Sequence, residues 1–229
     1  MKAVAFDFGN TLAYSGLPLN WQDFYCDALT AVLKATGTEV TSGKLQGAEK
    51  ILRKYNARIN EREYEVTSDT IFTELFNDWG ITGSSAMKPA KDAFYSFFFT
   101  KTEVYPDTES LLRELKNKRL KLGILSDTAY GAGKEYLLAG VPHSAKYFDV
   151  LLTSTDVGFR KPNVTGYLRL ARELGVKTAD CLFVGDEPKD IIGANNSGMI
   201  SILINRTNEN RDYGQKYTVG TLEEILKLV

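Results

Sequence analysis

The sequence predicts an α/β protein: a parallel sheet covered by helices on both faces, with an all-helical module inserted after the first strand. Two patterns lead there. Short apolar runs recur at 2–7, 120–126, 150–153, 182–186 and 200–204, with helical periodicity between the later ones. The stretch from about 18 to 99 breaks that alternation with several helical patterns and no convincing strand.

Each element has a local reason. The run 2–7, KAVAFD, is apolar until it closes on Asp7; Phe8, Gly9, Asn10 and Thr11 then make a glycine-softened turn. The inserted module reads as helices over 21–36, 42–62, 69–79 and 87–98, punctuated by Gly37, Gly80 and Gly83. Tyr55, Phe72, Phe76, Trp79, Phe94, Phe97 and Phe98 supply its core. Lys44, Lys50, Arg53, Lys54, Arg58 and Arg62 interleave with Glu49, Glu61 and Glu63, which reads as a solvated face, although a basic face could also greet an anionic substrate. Links near 15–18 and 101–106 join the module to the remainder, so the division expected is 1–15 with 101–229, and 16–100.

Beyond the module, 107–118 follows Pro106 and sets Leu111, Leu112 and Leu115 at helical spacing. The pattern over 164–174 repeats Tyr167, Leu168, Leu170, Ala171 and Leu174 and stops at Gly175. A shorter helix over 188–197 begins at Pro188 and ends at Gly198. A last helix over 221–229 is capped by Thr221, with Glu223 and Glu224 in its first turn.

Composition narrows the function. The 229 residues can bury a substantial core, and 43% hydrophobic with 25% charged residues is ordinary for a soluble chain. A net charge of −1 gives no reason to expect nucleic acid or an anionic membrane as partner. No apolar run approaches the roughly 18 residues of a membrane span. The N-terminus reaches Asp7 too soon for a signal peptide, so the expected compartment is the cytoplasm. Cys26 and Cys181 lie far apart, and Cys181 opens a strand-like run, which suits a buried thiol. A single histidine, His143, argues against a histidine-rich zinc site or a histidine triad.

The chemistry-bearing residues fall at strand tips. Asp7, at the end of the first run, is the candidate nucleophile. Gly9 offers a metal a backbone carbonyl but no general acid, and it also suits a turn with positive φ. Thr11 and Ser126 are hydroxyls able to hold phosphate oxygens. Lys161, in GFRKPN, would balance the charge of phosphate and acids; Arg160 beside it is a further candidate that could equally face solvent. In CLFVGDEPKD, Asp186 is the expected second ligand for Mg²⁺ beside Asp7. Asp190 would ligate through water or hold Lys161, and Glu187 reads as a helix N-terminal acid. A nucleophilic carboxylate, hydroxyls, a lysine and further carboxylates compose a metal-assisted phosphoryl-transfer site.

In this order and context the chain resembles the haloacid dehalogenase superfamily of hydrolases. FDFGNTL carries Asp7 and Thr11; GILSD carries Ser126; GFRKPN carries Lys161; FVGDEPKDIIGANNSGM carries Asp186 and Asp190. The resemblance implies a Rossmann-like core with the first and fourth motif strands side by side, a helical cap between the first and second motifs, Mg²⁺, and an aspartyl-phosphate intermediate. It implies a small phosphorylated metabolite as substrate, for a monomer or weak homodimer. Most phosphatases of the family have Asp where this chain has Gly9. Two alternatives therefore stand beside the phosphatase: a metal-independent dehalogenase-like hydrolase, which Asp186 argues against, and a phosphate-binding protein with little turnover.

Overall fold

The computed structural model describes residues 1–16, 21–139 and 141–229. In chain order the elements are β1 (Ala3–Phe6), β2 (Ala13–Ser15), α1 (Tyr25–Ala35), α2 (Ser42–Tyr55), α3 (Ser68–Trp79), α4 (Met87–Phe99), β3 (Thr102–Val104) and α5 (Thr108–Asn117). They continue with β4 (Lys121–Ser126), α6 (Lys134–Ala139), β5 (Val150–Thr153), α7 (Ser154–Val157), α8 (Val164–Leu174), β6 (Cys181–Gly185), α9 (Pro188–Ser197), β7 (Ile200–Ile204) and β8 (Tyr217–Val219).

The main sheet has the order β5-β4-β1-β6-β7-β8, and its ladders are parallel. It is the doubly covered α/β sheet expected, with the first and fourth motif strands adjacent. Alternation along β1 divides the core. Val4 and Phe6 pack with Leu111, Leu112, Leu115, Leu222 and Ile225 on one face. Ala3 and Ala5 pack with Tyr167, Leu170 and Phe183 on the other. Phe6 pairs with Ile124 and with Val184, so the chain leaves all three central strands at one edge: Asp7 from β1, Ser126 from β4 and Asp186 after β6.

Helices α1 to α4 share a separate core of Tyr25, Leu29, Leu33, Leu52, Phe72, Phe94 and Phe98. Thr41 and Thr67 cap α2 and α3 through their side chains, and Gly80 ends α3 in the left-handed conformation. Phe72, Phe76, Trp79, Phe94 and Phe98 are buried as expected, while Tyr55 and Phe97 pack against them from partly buried positions. Tyr130 and Ala132, from the loop after β4, complete this cluster. Gly131 lets that loop approach: a Cβ there would lie 2.3 Å from the Val66 carbonyl, and its φ is +67°.

The structure departs from the sequence reading in several places, the unforeseen α6, α7 and β8 among them. The helix expected over 42–62 ends at Tyr55, because Asn56 leaves helical geometry and donates to the Tyr25 hydroxyl, 2.8 Å away. The C-terminal segment is a 3-10 helix, Leu222–Lys227, behind a Thr221–Glu224 capping box. Trp21–Phe24 likewise forms a 3-10 turn ahead of α1. The links to the module form an antiparallel ribbon, β2 with β3, in which Ala13 pairs with Val104 and the Gly16 N–H donates to Lys101 O. The rest of the first link, 17–18, lies outside the described residues. No helix among the described residues is long and apolar enough to cross a membrane.

Candidate active site

The Asp7 N–H donates to Val184 O at 2.8 Å, which fixes Asp7 one residue past the end of β1. The turn behind it is held from outside. Arg206 donates to the Thr11 carbonyl, pairs with Asp107 through both terminal nitrogens at 3.0 Å, and stacks on Tyr105 with 3.7 Å to the ring centre. Thr11 is buried, and its hydroxyl lies 3.4 Å from an Asp186 oxygen.

The Lys161 side chain, 2% exposed, places Nζ 2.5 Å from Asp7 Oδ1 and 2.6 Å from Asp190 Oδ1. Asp190 turns its other oxygen to the backbone, where it accepts the N–H groups of Asp186 and Glu187 at 3.2 and 3.0 Å. It thus ties the start of α9 to Lys161, and both of its oxygens are engaged. Gly185 permits this: a Cβ there would sit 2.4 Å from that of Asp190. Asp7, Asp186 and Asp190 offer carboxylate oxygens within 4.8 Å of one another.

These charges shift one another. Burial raises Asp7 to about 6; Lys161 opposes that rise and Asp190 adds to it. Asp186 is pushed up to about 8 by burial and then by the charges of Asp7, Asp190 and Glu187. Burial alone would lower Lys161, but Asp190, Asp7 and Asp127 outweigh it and hold the ammonium well above its ordinary value. The carboxylates crowd the space beside Asp186 with negative charge, and a hard divalent cation bound by oxygen ligands would relieve it.

A cleft of about 1140 Å³ opens over this edge between sheet and helices. Gly9, Ser126 and Lys161 line it from the sheet side, and Trp21, Asn56 and Arg58 from the helical side. The Asp7 side chain retains 11% exposure, whereas Thr11 and Asp190 are fully buried. Ser126 is buried, with its hydroxyl 3.4 Å from the Asp127 carbonyl. Gly9 is not in the left-handed region, and a Cβ on it would meet nothing within 4 Å. Turn geometry therefore does not require the glycine.

Near the site, Asp127 and Lys189 escaped the sequence reading. Asp127 accepts the Lys161 backbone N–H at 3.0 Å and pairs with Lys189 at 3.1 Å. Lys189 also reaches Glu187 at 2.8 Å, and Arg58 of the helical segment meets Glu187 at 2.9 Å. Despite its burial, Glu187 is held down at about 2 by Lys189 and Arg58. Arg160 turns inward, 11% exposed, against Glu65. The proximity of Asp127 to Ser126 and of Lys189 to Asp186 was the available signal.

A family model described as haloacid dehalogenase-like hydrolase matches residues 1–198. The chain is 29% identical over 242 residues to a glyceraldehyde 3-phosphate phosphatase of Methanothermobacter thermautotrophicus, covering 100% of this chain and 98% of that protein. It is 34% identical over 116 residues to the protein of the same name from Methanopyrus kandleri, across 50% of this chain and 48% of that one. Its fold matches a HAD phosphatase from Thermococcus onnurineus with a TM-score of 0.66 at 24% identity, over 100% of this chain and 97% of that one. It also matches a 2-haloacid dehalogenase from Pseudomonas syringae pv. Tomato DC3000, with a TM-score of 0.69 at 20% identity and the same coverage. Since these two neighbours bear the names of different reactions, the shared fold does not choose between them.

Proposed function

The chain belongs to the haloacid dehalogenase-like hydrolases, and from that premise we propose that it is a magnesium-dependent phosphatase of a small phosphorylated metabolite, working through an aspartyl-phosphate on Asp7. The observation that carries this reading is the charge arrangement at the sheet edge. Lys161 lies between Asp7 and Asp190, while Asp186 beside them is pushed up to about 8. A divalent cation bound there would neutralise that surplus of acid.

In this reading Asp7, Asp186 and the Gly9 carbonyl hold Mg²⁺. When bound, the ion neutralises charge on the transferring phosphoryl group. An Asp7 oxygen bonds to phosphorus as the bond from phosphorus to the substrate oxygen breaks. That oxygen takes its proton from water, because Gly9 has none to give. Water then attacks phosphorus, the Asp7 carboxylate departs, and the proton passes to solvent. Thr11 and Ser126 orient the phosphoryl oxygens, Lys161 balances their charge, and Asp190 holds Lys161 in place.

Residues 1–15 with 101–229 form the catalytic core, and 16–100 form a cap that closes over the cleft and sets substrate choice. The named activity of the curated relatives puts glyceraldehyde 3-phosphate first among the metabolites to try. Free Cys26 and Cys181 suit a reducing cytoplasm, with the chain a monomer or weak homodimer.

The test is phosphate release from an aryl phosphate, with and without Mg²⁺, by the native protein and by Asp7→Asn. Metal-dependent turnover lost in the variant supports the reading. Halide release without metal sends the protein to the dehalogenases, and phosphate binding without turnover makes it a binding protein.

A further inference from the structure

The segment between α2 and α3 crosses from the helical module to the third-motif loop. Glu65 N donates to Gly158 O at 3.0 Å, and Arg160 N donates to Glu63 O at 2.8 Å. Tyr64 and Phe159 pair across the same junction, with ring centres 5.3 Å apart. Between them the Glu65 side chain points inward, 1% exposed.

Both Glu65 oxygens are engaged. Oε1 accepts the Val66 N–H at 2.8 Å and pairs with Arg62 at 3.1 Å. Oε2 accepts the Ser154 hydroxyl at 2.5 Å and the Arg160 guanidinium. These last two partners converge on the backbone of one residue. Ser154 Oγ accepts the Thr128 N–H at 3.0 Å, and Arg160 donates to the Thr128 carbonyl at 3.0 Å. Thr128 is two residues from Ser126. Arg160 precedes Lys161, whose own N–H is held by Asp127 of the same loop.

We propose that Glu65, supplied by the inserted helical segment, is a positioning residue for the reaction: through Ser154 and Arg160 it fixes the loop bearing Ser126 and the backbone bearing Lys161. The physical ground is the cost of leaving any member of this group alone. A buried carboxylate persists only when paired and hydrogen-bonded, and a buried guanidinium likewise, so each partner holds the other in one geometry. The phosphoryl-binding groups then take their working positions with the helical segment seated, which couples its docking to catalytic competence. The inference rests on the phosphatase reading of the site.

The experiment uses Glu65→Gln, Arg160→Met and the neutral double variant, with an aryl phosphate and Mg²⁺. Glu65→Gln should lose roughly 10- to 100-fold in kcat, the scale on which a slight misplacement acts, with a much smaller change in KM. The double variant removes both charges of the Glu65–Arg160 pair and leaves Arg62, 18% exposed, with its bond to the Tyr55 carbonyl, so its Tm should return part of the way toward that of the native protein while kcat stays low. A double variant that regains native kcat, or a Glu65→Gln protein that loses Tm but keeps kcat, overturns the positioning role.

Binding of orthovanadate, measured by calorimetry with Mg²⁺, needs no turnover. It should weaken in Glu65→Gln in step with kcat, as expected for a mimic of the transition state. Native protein that binds vanadate without turnover refutes the phosphatase reading alone, and the variant comparison still decides the role of Glu65. Equal affinity in native protein and variant overturns the inference, and native protein that neither binds nor turns over overturns both.

Discussion

Lys161 holds Asp7 and Asp190 together: its ammonium lies 2.5 Å from an oxygen of the first and 2.6 Å from an oxygen of the second. The three residues come from the tip of β1, the third-motif loop and the first turn of α9.

Lys161→Met removes the ammonium shared by two buried carboxylates. Breaking a buried pair from one side costs about 3–5 kcal/mol, so the variant should unfold at markedly lower denaturant concentration and release no measurable phosphate. Native-like stability would show that the two acids are relieved in some other way.

On the proposed reading, Asp186 links magnesium to pH. Its folded carboxyl is pushed up to about 8, above its unfolded value, so the folded state holds a proton that the unfolded chain has released. In the metal-free protein this contribution to stability is full below the unfolded value and fades as pH rises through about 8. The cation competes with that proton. Mg²⁺ should therefore raise Tm more at pH 8 than at pH 6, as measured by thermal unfolding at fixed ion concentration. Equal stabilisation at both values would remove Asp186 from the ligand set.

Gly9→Asp tests the missing acid. The position has room for a Cβ and lies outside the left-handed region, so the fold should tolerate the change. A general acid–base group is typically worth about 10²–10⁴ in rate. Turnover of alkyl phosphates should rise more than that of aryl phosphates, whose leaving groups need less help. An unchanged ratio between the two substrate classes would mean that protonation of the leaving group does not limit the native protein.

The thiols should report separately. Cys26 is exposed, whereas Cys181 is buried in β6 with its thiol pushed up to about 12. Titration with a thiol reagent should label one cysteine quickly and the second only in denaturant. Fast double labelling of the folded protein would contradict the burial of β6.

The sheet and its chemical edge were legible because both are written locally. Asp7, Ser126 and Asp186 each end a short apolar run, and β1, β4 and β6 bring those ends to one side. The junction was not legible. Glu65 lies beyond Tyr55 in a stretch rich in Lys, Arg and Glu, whose helix propensity hides the stop at Asn56. Its partner Arg160 is 95 residues away, and no periodicity encodes a pairing at that distance. Strands of three residues, such as β2, β3 and β8, are too short for alternation to reveal.

Tyr130 sits among the aromatic rings of the helical segment, though it belongs to the loop after β4. The helices are therefore not a cassette that could be exchanged whole between related chains. A graft limited to 16–100 would carry a socket without its plug. Each new set of helices would have to find a side chain at 130 that fills its own interior, so drift in the helices and drift in that loop constrain each other.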